Sequence, residues 1–386
     1  MISSVTIKDF KSITEVTVDL GQINVFIGAN GSGKSNILEA VGVLSAAASG
    51  VVDDESLLRR GVRPGVPLLY KTSFRKKRIS SHIFIEARNS DAEYSVSLNN
   101  TLKTPQPCWL YKTENLKTGG ESVVSRGVKT DKNKERGLAA LKAVDLSVSD
   151  PAMKLLSLLS GYSIYTPSTD ILRGIQPDSQ TRSPVGLNGG RLAEAVRDIQ
   201  NLARKDNYFK TVYDDLLQLI DWASRISVSD EDKRLLSASI SRPRNLLLFE
   251  DRFMVRGRNT LTAFDASEGA LYVLYMAALA VLPDPPAFLA VDNMDQFLNP
   301  RLARKLVNNL CKWTFDLKTG RQFVFTAHNP SALDGLDLTD NRIRLFSVNR
   351  NNRGFTTVTR VELPPDKDWP LSRLWVNGMI QGIPSI

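Results

Sequence analysis

One stretch near the start of the chain has the residue types and spacing of a phosphate-binding loop. Residues 28–35, Gly-Ala-Asn-Gly-Ser-Gly-Lys-Ser, fit the pattern G-x-x-x-x-G-K-[ST] without a gap. Glycines let backbone N–H groups curl around a phosphate, and the start of the following helix adds a partial positive charge beneath it. Lys34 can reach the β- and γ-phosphates, and the Ser35 hydroxyl can ligate Mg²⁺. The pattern predicts that a nucleoside triphosphate is bound by Asn30, Gly31, Ser32, Gly33, Lys34 and Ser35.

The segments on either side of this loop are those that such a loop requires. The apolar run 23–27 predicts a strand that ends at the loop, and the composition of residues 36–48 predicts a helix that follows it. A glycine-rich turn that matches by chance is the alternative, and the flanking pattern disfavours it.

Two further predicted strands end in polar residues. Residues 287–291 form an apolar run that ends at Asp292, the kind of acid that holds Mg²⁺ beside a bound nucleotide. Residues 321–327 form another, and it ends at His328, which can sense a γ-phosphate or position a water molecule. A buried strand that happens to end in Asp is the alternative for the first run. Behind a phosphate loop, we interpret Asp292 as a metal ligand and His328 as a catalytic residue.

The remaining pattern places these groups on a larger α/β frame. Alternation predicts strands over 5–7, 16–20, 79–87, 93–98, 246–249, 252–255 and 260–263. Helical patterns cover 138–159, with a break at Asp150-Pro151, and also 191–202, 208–226 and 270–282. The two β segments ahead of the loop predict that the chain opens with a mixed sheet. Prolines and glycines between 162 and 191 indicate a boundary between lobes.

Composition limits the class of protein. The 386 residues are 42% hydrophobic and carry a formal net charge of +9, and the two cysteines, Cys108 and Cys311, are far apart. No disulfide framework or cysteine metal site follows from them, which suits a reducing cytoplasm. The longest apolar run, 270–282, is shorter than the roughly 20 residues of a membrane-spanning helix. We therefore expect a cytoplasmic protein without a signal peptide or membrane segment.

Much of the positive charge is concentrated in one short segment. Its residues are Lys71, Arg75, Lys76, Lys77 and Arg78. Such a cluster is typical of a nucleic-acid-facing patch. A solvated hairpin with exposed basic side chains is the equally weighted alternative, because no aromatic-rich recognition pattern accompanies the charges.

The order of these segments resembles an ABC-type ATPase head. Within that class the chain resembles soluble AAA-family ATPases of the OLD-like and RecF-like group, which is related to the heads of the structural-maintenance-of-chromosomes proteins. The resemblance is carried by residues 7–13, the loop and Asn36 at 28–36, Ala-Ser-Glu-Gly at 266–269, and the segments 292–300, 325–330 and 371–378.

This resemblance implies a fold and a mechanism. The implied fold is an α/β P-loop NTPase, an ABC-ATPase head with two lobes and a helical insert. Lobe I is expected over 1–165, a linker and helical insert over 166–243, and lobe II over 244–386. In such heads a homodimer sandwiches two ATP molecules with Mg²⁺. Ser267 and Gly269 of one copy are expected to close over the γ-phosphate held by the loop of the other.

Two departures from the family pattern affect the expected activity. Asn293 follows Asp292, where the family has a catalytic Glu, and an amide cannot act as a general base. Asp295 is a candidate substitute, although its side chain is one carbon shorter than Glu. We therefore expect slow ATP hydrolysis. Asn299 replaces a usual His without an evident reason, and Gln106 is only a weak candidate for the family's glutamine-lid residue.

Three functional hypotheses follow from the resemblance. The first is a DNA-linked ATP switch, the sensor or scaffold that controls a separately encoded effector in a bacterial antiviral or toxin-type system. The second is a RecF-like repair ATPase that binds DNA directly, and the third is an ATP-dependent assembly platform that does not hydrolyse ATP. The stretch after His328 is too short for the Toprim nuclease of OLD-type proteins. A transporter ATPase is disfavoured because residues 265–269 are not the usual Leu-Ser-Gly-Gly signature.

Overall fold

The computed structural model of the chain describes residues 1–75, 78–127, 133–230, 235–236, 245–362 and 369–380. The strands are β1 (Ser4–Phe10), β2 (Ile13–Asp19), β3 (Ile23–Ile27), β4 (Ile83–Arg88), β5 (Ala92–Asn99), β6 (Leu110–Thr118), β7 (Glu121–Arg126), β8 (Ile164–Tyr165), β9 (Ala223–Ser229), β10 (Leu246–Asp251), β11 (Thr260–Thr262), β12 (Phe288–Val291), β13 (Gln322–Ala327), β14 (Ile343–Arg350) and β15 (Thr356–Arg360). The α-helices are α1 (Lys34–Ala48), α2 (Asp54–Leu58), α3 (Pro67–Tyr70), α4 (Leu138–Lys142), α5 (Pro151–Gly161), α6 (Thr169–Leu172), α7 (Leu192–Ala203), α8 (Asn207–Leu219), α9 (Glu268–Val281), α10 (Pro300–Asp316) and α11 (Leu371–Val376). Short 3₁₀ helices span Ala143–Asp145 and Pro330–Gly335.

A central six-stranded sheet positions the predicted site residues. Its order is β15-β14-β3-β13-β12-β8, and its neighbours are parallel except for β15, which runs antiparallel to β14. The carboxyl ends of β3, β13 and β12 therefore meet at one edge of the sheet. The phosphate loop, His328 and Asp292 follow those three ends.

Side chains alternate between two apolar layers on the faces of this sheet. On β3, Val25 belongs to the layer built from α7 to α10, whereas Phe26 belongs to the layer that contains α1. Helix α9 is apolar all round, and it is buried against α7, α8 and α10. The sheet is thus covered on both faces, as a mostly parallel sheet requires.

The second sheet overturns one sequence prediction. Its order is β2-β1-β4-β5-β6-β7, and every neighbouring pair is antiparallel, so the predicted opening mixed sheet was wrong. The turn between β1 and β2 consists only of Lys11 and Ser12, which is too short for the crossover that parallel strands need. Helix α1 packs between this sheet and the central sheet.

A three-stranded sheet, β11-β10-β9, corrects two further predictions. The helix predicted over 208–226 ends at Leu219, and residues 223–226 belong to β9. The strand predicted over 252–255 is instead the connection between β10 and β11. Residues 223–226 form a strand because they pair with β10, whereas the pairing of β10 with β11 extends only from Leu248 to Glu250 and stops before residue 252. The lobe boundaries remain a prediction, and β9 from the middle segment pairs with β10 from the predicted second lobe.

The described residues include no helix with both the length and the apolar composition needed to span a bilayer. Helix α9 is the apolar segment noted in the sequence, and its neighbours in the fold are other helices of the core.

The carboxyl end of α9 is held by a buried cation. Arg321, which precedes β13, is 3% exposed. Its Nη1 donates to the carbonyls of Leu279 (3.0 Å) and Ala280 (2.7 Å), and its Nη2 donates to the carbonyl of Leu282 (2.7 Å). Burial lowers the pKa of Arg321 to about 10, so the guanidinium stays charged at neutral pH. These carbonyls belong to a helix end that lacks intrahelical donors.

We predict that Arg321→Met lowers the free energy of unfolding by about 2–4 kcal/mol, because three buried carbonyls lose their donor. Chemical denaturation followed by circular dichroism measures this change. Arg353→Met, at an exposed position, is the matched control and is expected to change stability by less than about 0.5 kcal/mol. Equal midpoints for the two variants would contradict this account of Arg321.

Candidate nucleotide site

The phosphate loop joins β3 to α1 in a conformation that leaves the helix start uncapped. Gly31 and Gly33 have positive φ values of 75° and 111°, and Gly33 occupies the N-cap of α1 without a side-chain hydrogen bond. A Cβ atom on Gly33 would lie 2.2 Å from Thr356 Oγ1, so packing against β15 also requires glycine there. No side chain caps the first N–H groups of α1, and they remain available to an anion.

Lys34 lies at the centre of the site. Its Nζ donates to the carbonyls of Gly28 (2.7 Å) and Ala29 (3.0 Å) and lies 3.4 Å from His328 Nδ1. Burial lowers the pKa of Lys34 to about 8, and the carboxylates of Asp292 and Asp295 partly offset that effect. The protein thus holds a poorly solvated ammonium group that an anionic ligand would stabilise.

Asp292 connects three elements at the sheet edge. The Ser35 hydroxyl donates to Asp292 Oδ2 at 2.9 Å, and the Thr326 hydroxyl donates to Asp292 Oδ1. The backbone N–H of Asn293 in turn donates to Thr326 Oγ1 at 2.7 Å. Ser35 and Asp292 are therefore adjacent oxygen donors of the kind that Mg²⁺ prefers. The sequence analysis missed Thr326, although a hydroxyl in an apolar strand was a usable signal.

Asp295 fixes the residue that follows β13. It is 7% exposed, and its Oδ2 accepts the backbone N–H groups of His328 (2.7 Å) and Asn329. This geometry gives Asp295 a positioning role for His328. Its role as a substitute base remains a prediction, and one of its two carboxylate oxygens already accepts two donors.

Asn293 occupies a backbone position that favours its residue type. Its φ is 60°, in the left-handed region where Asn is enriched among non-glycine residues. Its carbonyl accepts the Tyr272 hydroxyl at 2.9 Å. The Asn293 backbone is thereby fixed between α9 and β13, and the residue lines the adjoining cavity.

A cavity of about 590 Å³ opens beside the loop. It is lined by Ile27, Gly28, Ala29, Asn30, Asn293, Asp295, Gln296, His328, Asn329 and Trp375. Burial, followed by the nearby Lys34 cation, lowers the pKa of His328, so its ring is neutral near pH 7. A neutral imidazole can both donate and accept a hydrogen bond. Sequence reasoning missed Gln296, Asn329 and Trp375 as lining residues, and Trp375 reaches the site from the last helix.

A second cavity, of about 410 Å³, is bordered by Asn36, the residue that directly follows the loop. Its lining combines cations with apolar side chains: Lys11, Ser12, Asn36, Arg63, Pro64, Gly65, Leu68, Leu69, Tyr70, Lys71, Ser73, Phe74 and Arg350. Asn36 Nδ2 donates to Ser12 Oγ at 2.7 Å, so the predicted binding residue Asn36 contacts the turn between β1 and β2. The buried carboxylate of Glu39 pairs with Lys11 and Arg63 and holds both cations at this cavity.

Ser267 and Gly269 lie apart from the loop cavity. Ser267 is exposed at the N-cap of α9, where its Oγ accepts the N–H of Ala270 at 3.3 Å. It lines a separate cavity of about 190 Å³ together with Asn299, Arg301 and other residues, and neither Ser267 nor Gly269 lines the 590 Å³ cavity. Asn299 Oδ1 accepts the N–H of Leu302 at 2.9 Å. Helix capping therefore explains the Asn that the sequence pattern left unexplained.

The predicted basic patch is wrong at Lys71. Its side chain is 4% exposed, and its Nζ donates to the carbonyls of Ser81 (2.8 Å) and Asn100 (2.7 Å) and to the side chain of Asn99. A buried ammonium group that donates to three oxygens is a structural link and cannot contact a nucleic acid. Of the other cluster residues, Arg75 and Arg78 are exposed, whereas Lys76 and Lys77 lie outside the described residues.

Gln106 lies in the connection between β5 and β6. It is absent from the lining of both cavities that flank the loop. Nothing in its position supports a role at the nucleotide.

The residues present fit ATP with Mg²⁺. Ser32 Oγ is buried and has no hydrogen-bond partner within the described protein, so one hydroxyl group of the loop is left unsatisfied. The uncapped start of α1, the Lys34 ammonium and the Ser35–Asp292 oxygen pair supply the other contacts that a metal-bound triphosphate needs.

The lowered pKa of Lys34 predicts a pH dependence of nucleotide binding. The charged form binds the anion, so affinity for ATP should fall as the pH rises through about 8, and binding near and just above that pH should take up protons, whereas binding well below it should not. Calorimetry in buffers of different ionisation enthalpy measures this uptake. Lys34→Arg carries a fixed charge and should lose the proton uptake, while Lys34→Ala should weaken binding at every pH. Equal uptake by wild type and Lys34→Arg would contradict the assignment.

Comparisons with known proteins show the family and the fold of the chain. A family model described as "AAA domain, putative AbiEii toxin, Type IV TA system" matches residues 23–334. A segment of 75 residues is 37% identical to the DNA replication and repair protein RecF of Magnetococcus marinus, and one of 71 residues is 39% identical to RecF of Halothermothrix orenii. These segments span 19% and 18% of this chain and about a fifth of each relative's length, 20% and 19%.

Two solved structures share the fold over nearly the whole chain. One is an SmcHead bound to the C-winged helix domain of ScpA, with a TM-score of 0.56, 13% identity and coverage of 94% of this chain and 98% of that one. The other is an Smc head domain from Pyrococcus furiosus with an extended coiled coil, bound to the C-terminal domain of ScpA. Its TM-score is 0.52, with 12% identity and coverage of 93% and 96%.

The resemblance to an ABC-type ATPase head is therefore confirmed at the level of family and fold. The chain belongs to the family described as "AAA domain, putative AbiEii toxin, Type IV TA system", and it is a P-loop ATPase with the ABC-type head fold of RecF- and SMC-like proteins.

Proposed function

We propose that the chain is a slowly hydrolysing ATPase that dimerises when it binds ATP and controls a separate effector protein. The observation that carries this proposal is the separation of two half-sites on one copy. The first residues of the phosphate loop line one cavity together with His328, and Asp292 is hydrogen-bonded to Ser35 at the end of that loop, whereas Ser267 lines another cavity. A second copy that faces the first can bring Ser267 and Gly269 to the open side of the loop cavity.

The proposal includes a position for ATP on one copy, supported by the two cavities near the loop. The phosphates occupy the loop and the start of α1, with the γ-phosphate on the side of His328. The nucleoside extends toward the second cavity, where Leu68, Leu69 and Phe74 offer apolar contacts. Lys11 and Arg63 line the same cavity. A bound Mg²⁺ would neutralise part of the charge of the phosphates. Ser35 and Asp292 would hold that ion.

Slow hydrolysis follows from what lies next to the γ-phosphate. The Asn293 amide can orient a water molecule but cannot accept its proton. His328 is neutral and held by Asp295, so it suits contact with the γ-phosphate or with water. Loss of a general base typically costs about 10²–10⁴-fold in rate. ATP therefore acts mainly as a ligand that joins two heads. A ligand that binds the dimer more tightly than the monomer shifts the equilibrium toward the dimer.

The effector role rests on the family description and on the missing catalytic Glu. The family model's description names a toxin of a toxin–antitoxin system, which supports a sensor or scaffold in a bacterial antiviral or toxin-type system. Asn293 also favours the third hypothesis of the sequence analysis, a platform that assembles on ATP without hydrolysing it. The RecF relatives support a DNA-linked role, but the matched segments span only about a fifth of each relative's length.

The backbone at Asn293 allows a sharp test of the slow-hydrolysis proposal. We predict that Asn293→Asp raises the rate of phosphate release at least tenfold, because it supplies a carboxylate and Asp tolerates the left-handed backbone. Asn293→Ala is the control and should not accelerate release. An Asn293→Asp rate no higher than that of wild type would show that this position does not limit hydrolysis.

The dimer is tested at Ser267. We predict that ATP and Mg²⁺ double the light-scattering mass of the wild-type protein and leave Ser267→Arg monomeric, because an arginine there obstructs the face that meets the second copy. Ser147→Arg, an exposed serine elsewhere, is the matched control and should dimerise. A fluorescent ATP analogue should still bind to Ser267→Arg, but more weakly than to the other two proteins, because ATP binding and dimerisation are linked. Nucleotide-dependent dimers of Ser267→Arg would overturn the proposed arrangement.

A further inference from the structure

The connection between β10 and β11 is an exposed loop with an unusual composition. Its sequence over 252–258 is Arg-Phe-Met-Val-Arg-Gly-Arg. Phe253 is 80% exposed, Met254 47% and Val255 76%. Three adjacent apolar side chains at a hairpin tip are costly to leave in water and indicate an interaction surface.

Hydrogen bonds at its base hold the loop in a defined conformation. Asp251 Oδ1 accepts the N–H groups of Phe253 (2.7 Å) and Met254 (3.2 Å), and Asp251 N donates to the carbonyl of Asn259 (2.7 Å). Arg252 N donates to the carbonyl of Trp222 at 3.0 Å, and its Nη2 donates to the carbonyl of Ala223. The tip therefore projects from a root that is fixed to β9 and to its own hairpin.

The charge of the loop indicates the kind of partner. Arg252, Arg256 and Arg258 are all exposed, and no acidic residue lies between Asp251 and Asp265. Arg256 and Arg258 take part in no ion pair among the described residues. The three arginines complement the negative phosphates of a nucleic acid. The apolar tip between them complements the stacked bases that lie between those phosphates.

We infer that this tip, residues 252–258, binds double-stranded DNA, with Arg256 and Arg258 on phosphates and the apolar side chains at a base step. Phe and Met side chains wedge between base steps from the minor groove of B-form DNA, where Arg side chains also fit. The wide, shallow minor groove of an RNA duplex suits such a wedge less well. This site is distinct from the predicted basic patch at Lys71, and it does not require the nucleotide-dependent dimer.

Fluorescence anisotropy with a labelled DNA duplex tests the electrostatic part. The double variant Arg256→Gln/Arg258→Gln should weaken binding at least tenfold and reduce the slope of log K against log salt by about 2, one unit for each lost phosphate contact. Lys142→Gln/Lys154→Gln removes the same charge from exposed positions on α4 and α5 and should leave both quantities nearly unchanged. Equal losses in the two double variants would overturn the site.

The wedge is tested by base unstacking. A duplex with 2-aminopurine beside a TA step should brighten when wild-type protein binds, and Phe253→Ser/Val255→Ser should abolish that signal while keeping the salt slope. Wild-type binding without a fluorescence change, or tighter binding to an RNA duplex, would overturn the wedge. Absence of any duplex binding would assign the tip to a protein partner instead. All measurements are repeated with Lys34→Ala, so that a failure of the nucleotide proposal is recognised separately.

Discussion

The carboxylate of Asp292 is the contact on which the arrangement of the site depends. It accepts hydrogen bonds from Ser35 at the start of α1 and from Thr326 on β13, and thereby joins the ends of three neighbouring strands. The three strand ends lie close together because β13 lies between β3 and β12 and runs parallel to both. Parallel order brings all three carboxyl ends to one edge, where polar groups can meet without entering the apolar layers.

Charge balance at this edge depends on burial. Lys34 is held by two carbonyls of its own loop and lies close to His328, so its charge is poorly solvated and only partly compensated by Asp292 and Asp295. The same burial keeps the His328 ring neutral. A site with an under-compensated cation and a neutral imidazole is prepared for a polyanion, because the ligand supplies the missing negative charge.

The proposed dimer face and the proposed DNA-binding tip lie outside the cavity at this edge. Ser267 begins α9 on the surface of a separate cavity, and the basic hairpin tip precedes it by a short stretch of chain. The root of the hairpin contacts Trp222, which lines the same cavity as Ser267. The proposed dimer face and the proposed DNA-binding tip therefore share a common support, built from β9, β10 and the start of α9.

The sequence alone determined the local parts of this protein. The loop pattern, the strand that ends at Asp292 and the strand that ends at His328 were readable, because each depends on a run of neighbouring residues with a fixed period. The resemblance added the α/β head fold, and the fold comparisons confirm it. Tertiary structure decided what depends on distant partners. Lys71 is buried because Ser81, Asn99 and Asn100 surround its ammonium group, and β9 is a strand because β10 pairs with it. Thr326 and Trp375 reach the site only through packing, which no local period in the sequence records.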